Sequence, residues 1–233
     1  MNLFYYTLIL FISFNCFGQK SMHDRWSYEL QKHVDENGKV NYEKWGKDLE
    51  GLNAYIEILQ KFNPKKYWSK NEVLAYWINI YNALTIKLIV ENYPINSIKE
   101  IPNSWTKNLI LINSKSFSLD QIEHEILRKM NEPKIHFAIN CASISCPKLL
   151  NSAYLPNKLT EQLNIAVKLF LADTTKNIIK EENLLLSKIF FWFKKDFGSR
   201  KDLLNFISTY SEIEIKNPKI KYMNYDWELN KSN

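Results

Sequence analysis

The sequence predicts a helix-rich α+β fold with a small antiparallel sheet, formed as one domain over residues 19–233. Three observations carry this. Only five glycines and seven prolines interrupt 233 residues, which favours long regular elements. Apolar residues recur at helical spacing in several stretches, and short apolar runs bounded by turn residues lie between them. No internal repeat, low-complexity tract or linker divides the chain. The composition is 45% hydrophobic, with seven Trp, 13 Tyr and 13 Phe. That is enough bulk for a sizeable core, and it excludes a disordered chain or a fibre.

Taken in order, residues 1–18 carry no charged side chain. The apolar run Leu3–Phe14 has the length of a signal-peptide core and is short for a membrane span of about 20 residues. Cleavage is expected near Gly18–Gln19. A lipid anchor on Cys16 is not expected, because Asn15 stands where lipoprotein processing needs a small residue. No later apolar run reads as a membrane span. The mature chain is therefore expected in the periplasm or outside the cell.

Residues 23–47 read as polar with scattered aromatics, a turn at Asp35–Gly38 and a short extended piece at Val40–Tyr42. Leu52, Tyr55, Ile56, Leu59 and Phe62 then predict a helix over 48–62, ended by Asn63–Pro64. Ser69 and Glu72 form a capping box that opens a helix over about 70–91. Its buried face is predicted at Val73, Leu74, Trp77, Ile78, Tyr81, Leu84 and Leu88, with Asn79 and Asn82 on the flank. Short extended pieces follow, including Leu109–Ile112. A second capping box, Ser118 with Gln121, starts a helix through about Met130.

After Pro133 the apolar run Ile135–Asn140 predicts a buried strand, leading into a small-residue loop from Cys141 to Pro147. A helix is expected over 159–172, a hairpin around Glu181–Glu182, a short helix from Ile189, a helix over 200–210, and extended pieces at 220–222 and 225–229.

The formal net charge is +6. Only Arg25, Arg128 and Arg200 among the 31 cations are arginines, and the lysines are spread along the chain among acids. A nucleic-acid surface concentrates its charge and uses Arg forks, so no nucleic-acid partner is expected. There is no P-loop, dinucleotide glycine pattern, serine elbow or H-E-x-x-H helix. His124, His136, Cys141 and Cys146 could supply four zinc ligands. Their spacing matches no standard zinc signature, so neither a metal nor a cofactor is expected.

Chemistry concentrates in three places. The run from His136 to Pro147 gathers an imidazole, the Asn140 amide, two thiols and the hydroxyls of Ser143 and Ser145. An extended strand would hold His136 about 16 Å from Cys141, so the two are not a pair unless the loop folds back. Cys141 and Cys146 can be a disulfide, a nucleophile with its neighbour, or buried inert thiols. On the preceding helix Glu123 and His124 point about 100° apart, while His124 and Arg128 share a face. The amides of Asn79 and Asn82, inside a helix, need buried partners or line a pocket.

At these residues the sequence resembles a known family. Trp77–Ile–Asn79–Ile–Tyr81–Asn82, Ser118–Leu–x–x–Ile122–Glu123–His124–x–Ile–Leu–Arg128 and His136–Phe–Ala–Ile–Asn–Cys141–Ala–Ser143–x–Ser–Cys146–Pro147 are similar to motifs of domain of unknown function 547. So are Trp192–Phe–x–x–Asp196–Phe197 and Tyr222–x–x–Tyr225–Asp226–Trp227, and together they span about 70–229. The resemblance implies an α+β domain found in exported bacterial proteins, and in plants beside a coiled coil. It brings no agreed activity. A looser likeness to papain-like and transglutaminase-like folds follows from the order of elements. Those folds place a cysteine at the head of the central helix, where this chain has Ser69–Lys–Asn–Glu72.

Two functions are compatible with this reading. One is an exported hydrolase or transferase acting on amide bonds in peptide or cell-envelope material. Cys141 would be the nucleophile and His136 or His124 the base. Glu123 or Asp196 would orient that base, and amides of the 142–145 loop would hold an oxyanion. Asn79, Asn82, Asn140, Ser143 and Arg128 would bind substrate. The other is a non-catalytic exported binding module whose recognition loop is stiffened by a Cys141–Cys146 disulfide. Oligomeric state is left open.

Overall fold

The computed structural model describes residues 22–232. The expected export signal over 1–18, with Cys16, lies outside the described residues. Helix α1 covers 22–33. Sequence reading took this stretch as merely polar, yet Met22, Trp26 and Leu30 recur every fourth residue and are buried. Trp26 stacks on Tyr55 with ring centroids 5.3 Å apart. The turn after α1 needs Gly38, whose φ is +77° and where a Cβ would meet the Leu149 backbone at 2.9 Å.

Helices α2 (Tyr42–Gly46) and α3 (Glu50–Lys61) pack against the central α4 (Lys70–Val90). The Ser69–Glu72 capping box forms as predicted. Every residue from Leu74 to Ile86 is buried, so α4 is enclosed on all sides rather than along one face. Among the described residues α4 is the one helix long and apolar enough to cross a bilayer, a feature the reading of the sequence passed over. Its burial marks it as the core helix. Asn79 and Asn82, placed on a flank by the spacing, are buried.

Strands β1 (Ile110–Ile112) and β2 (Lys115–Phe117) form an antiparallel hairpin. Its two turn residues, Asn113 and Ser114, both have positive φ, the conformation that two-residue hairpins favour. Helix α5 begins at Leu119–Gln121 and continues as a π-helical stretch over Ile122–Leu127 and a 3-10 turn over Arg128–Met130.

The expected strand at 135–140 is absent. Pro133 opens a 3-10 helix over Pro133–Phe137, with the Glu132 side chain capping it. Beyond it the Asn82 amide donates to the Ala138 carbonyl (2.9 Å) and accepts the Asn140 N–H (2.8 Å). A side chain from α4 thus replaces the ladder partners a strand would need. Replacing Asn82 with Ala would orphan both buried backbone groups. The expected loss is about 2 kcal/mol, read as a lower urea midpoint at unchanged m-value.

Helix α6 (Leu159–Ala172) has the predicted bounds. A second sheet joins β3 (Ile178–Lys180), β4 (Asn183–Leu186) and β5 (Lys219–Tyr222). The β3–β4 pair is the expected hairpin, but β5 lies parallel to β4. Helices α7 (Ile189–Trp192) and α8 (Arg200–Ser211) intervene and give the chain the crossover length that a parallel pair requires. The small sheet predicted from sequence is therefore two sheets, the second of them mixed. Residues 225–229 form no strand and make one isolated bridge, Ser143 with Leu229.

Candidate functional site

The compact 3-10 turn undoes the separation that an extended strand would impose. His136, Cys141, Cys146, Glu123 and Tyr81 all line one cavity of about 110 Å³. Its wall is aromatic. Trp105, Trp192, Tyr225 and Trp227 are in mutual contact, with centroids 4.7–5.9 Å apart along the chain of rings. The Lys99 ammonium sits 4.2 Å over the Trp227 ring, a cation–π contact at the rim. Trp192 and Phe191 beside it are exposed.

Cys141 and Cys146 form a disulfide with Cα atoms 6.2 Å apart. The loop they close is pinned from several directions. The Asn140 side chain accepts the Ala142 N–H (2.7 Å) and donates to the Pro147 carbonyl (2.7 Å). The Ile144 and Ser145 amides donate to the Glu228 and Asp226 carbonyls. With Ala142, Ile144 and Ser145 so engaged, the oxyanion role proposed for the 142–145 amides finds three of its four donors occupied. The Ser143 hydroxyl donates to the Tyr225 oxygen (3.1 Å), and the Tyr225 hydroxyl donates to Cys146 Sγ (3.3 Å).

The π-helical stretch places Glu123 inward and His124 outward. Glu123 is buried, and burial pushes its carboxyl up to about 7 against the opposing effects of the Tyr81 hydroxyl, 3.4 Å away, and of Arg128. His136 Nε2 lies 2.8 Å from Asp196 Oδ2. Arg128 grips the same carboxylate through Nε and Nη2 at 2.6 and 2.7 Å. Although burial works against it, these bonds hold the Asp196 carboxyl well below the usual carboxylate range. Burial lowers the His136 imidazole, and Asp196 only partly offsets this. The His136 Nδ1 is buried and has no hydrogen-bond partner among the described residues.

The structure thus brings Glu123, His136 and Cys141 together, and of the two acids expected to orient a histidine it is Asp196 that bonds His136. His124 does not line the cavity. Its Nδ1 faces Arg128 at 3.1 Å and its Nε2 faces Asp120 at 3.3 Å, as the shared face with Arg128 predicted. Arg128 serves Asp196. Asn79 bonds the Tyr154 backbone through both ends of its amide. Asn79, Asn82 and Asn140 all hold backbone, so their amides are taken up by structure. Sequence reasoning missed the aromatic wall as a unit. Trp192, Tyr225 and Trp227 stand in the motifs quoted above, but nothing local says that two distant motifs meet.

Residues 65–171 match the family described as "Protein of unknown function, DUF547". No curated protein and no solved structure matches the chain, and the looser likeness to papain and transglutaminase folds gains no support. The matched segment holds α4, the π-helical stretch, the disulfide loop and α6. Trp192, Tyr225 and Trp227, which complete the cavity, and Asp196, which bonds His136, lie beyond it. Over residues 65–171 the chain is similar to the domain of unknown function 547 family.

Proposed function

We propose that the protein is an exported binding module that holds a peptide of the cell envelope, gripping one apolar side chain in the cavity between the disulfide loop and the aromatic wall. The observation that carries this reading is the bridged, multiply pinned 140–147 loop facing four contiguous aromatic rings. A rigid loop and rigid rings lose little entropy on binding. A cavity of about 110 Å³ is well below the 300–1,000 Å³ typical of cofactor and drug-sized sites. It has room for a side chain rather than a whole small molecule. The N-terminal apolar segment supplies the route to the periplasm or exterior.

Selection of a random displayed peptide library on the oxidised protein tests this. Peptides sharing an apolar anchor are expected, with at least tenfold weaker binding to Trp192→Ala, because truncated aromatic anchors dominate such interfaces. Trp192 is 43% exposed, so the substitution leaves the core intact. Enrichment of glycans but not peptides on the same surface, or equal binding by the variant, overturns the reading.

One observation favours a second reading, a thiol hydrolase latent in the bridged form. His136 Nε2 is tied to Asp196 while Nδ1, beside the cavity that holds Cys141, has no partner among the described residues. In that case the reduced protein would be alkylated at Cys141 faster than a free thiol near pH 7. Alkylation at the ordinary rate would dismiss it.

A further inference from the structure

We propose that the open edge of β5 takes up an extended peptide as an added strand, and that the segment fitting it alternates apolar and acidic residues. This rests on the peptide reading above and extends it beyond the cavity. The sheet order is β3–β4–β5, so β5 has a neighbour on one side only. Lys219 and Met223 donate their backbone N–H groups to the Glu182 and Leu186 carbonyls, on the β4 side. Backbone groups alternate in direction along a strand, so the N–H and C=O of Ile220 and Tyr222 face outward. No strand lies on that side among the described residues. The next outward carbonyl, at Pro218, is already held by Arg200 Nη2 at 2.6 Å. Ile220 and Tyr222 thus offer donors and acceptors to an incoming strand, as edges do when they bind extended peptides.

The two faces of this edge differ chemically. On one, the Tyr222 and Phe191 rings lie 5.2 Å apart and are 37% and 52% exposed. Trp192, the residue after Phe191, lines the cavity, so an apolar strip leads from the edge to the anchor site. Lys219 and Lys221 point to the other face, as alternation requires, and both are exposed. Neither forms an ion pair among the described residues, whereas Lys216 is held by Glu181 and Glu214. Lysines on an edge deter pairing between copies, because lysine would meet lysine. They favour a strand that brings acids to alternate positions. Deterrence alone does not account for the exposed aromatic pair on the opposite face.

The probe is a synthetic hexapeptide that alternates glutamate and valine and ends in leucine as the anchor. Calorimetric titration into the oxidised protein measures binding, and amide exchange at Ile220 and Tyr222 is expected to slow in the complex. N-methylation of alternate peptide residues leaves the protein untouched. The set that removes donors facing β5 is expected to weaken binding at least tenfold, and the other set less than twofold. Lys219→Glu combined with Lys221→Glu is expected to weaken binding about fivefold at low salt and less at high salt. No binding, equal losses from the two methylated sets, or unchanged exchange at both amides would each overturn the proposal. Trp192→Ala separates it from the cavity reading. If that variant binds the probe like wild type while the two sets still differ, the edge stands and the cavity reading fails. If it binds more weakly and the sets do not differ, the edge alone fails.

Discussion

Replacing Asp196 with Asn is expected to destabilise the protein by about 3 kcal/mol, the loss typical of breaking a largely buried charge pair at the lower end of its range. Asp196 Oδ2 meets both Arg128 Nε and His136 Nε2, and Oδ1 meets Arg128 Nη2. Asparagine keeps the shape and loses the charge. Its amide nitrogen must face a donor whichever way it turns, because Arg128 donates to both oxygen positions. Arg128, mostly shielded and held over the Phe193 ring at 5.3 Å, loses the carboxylate it is bonded to. Solvent still reaches part of both groups, which keeps the figure near 3 rather than 5. Urea unfolding of the two proteins measures it. The folded-state pKa of Asp196 is depressed. The contribution is therefore fully present above the ordinary carboxylate pKa of about 4 and is lost as pH falls through the folded value. The gap between wild type and variant should be present in full at pH 8 and close in strong acid. A gap under 1 kcal/mol at pH 7 would mean that the pair behaves as a screened surface bridge.

This network also shows what the sequence could and could not reveal. Elements governed by local chemistry were legible. The Ser69 and Ser118 capping boxes, the α6 stripe and the β3–β4 hairpin stand where spacing placed them. The α+β class and the family likeness over residues 65–171 followed from the same residues. What failed was non-local. The 135–140 run has the composition of a strand, yet the amide of Asn82, more than 50 residues earlier, captures its backbone. Helix α1 looks polar because its buried residues include His23, Glu29 and His33, which a hydrophobic pattern does not score. The site was half legible for the same reason. His136, Cys141 and Glu123 were singled out by residue type. The aromatic wall arises only when the segment at 192 and the segment at 225–227 fold against the 140–147 loop.

Acidification should expose those buried histidines, and the sign can be worked out group by group. Burial lowers His23 to about 4. The Tyr55 hydroxyl lies 2.7 Å and the Asn79 amide nitrogen 3.4 Å from its Nδ1, while Nε2 is buried without a partner among the described residues. The Tyr55 oxygen can accept from Nδ1–H, but a second proton on Nε2 would be buried with no acceptor among the described residues. The unfolded chain protonates His23 below about 6.5, but the folded protein resists until about 4, so stability falls as pH drops through that window. The shift corresponds to about 3 kcal/mol. His33, stacked on Trp45 at 4.7 Å, is lowered to about 4 by burial and adds in the same direction. Its near neighbour Glu29, 3.9 Å away, is raised by burial. Glu123 works the other way. Its folded value of about 7 exceeds the unfolded 4.5, so its contribution is fully present below 4.5 and is lost as pH rises toward 7. These opposed effects partly cancel in the wild type, and variants separate them. Glu123→Gln is expected to steepen the loss of stability between pH 7 and 5 by about 2 kcal/mol, whereas His23→Gln should flatten it or reverse it. Thermal and urea unfolding across pH 4.5–8 give both slopes. Parallel profiles for wild type and His23→Gln would show that this histidine takes up its proton as readily in the folded protein as in the unfolded chain, and that the core around Trp26 and Tyr55 admits the charge.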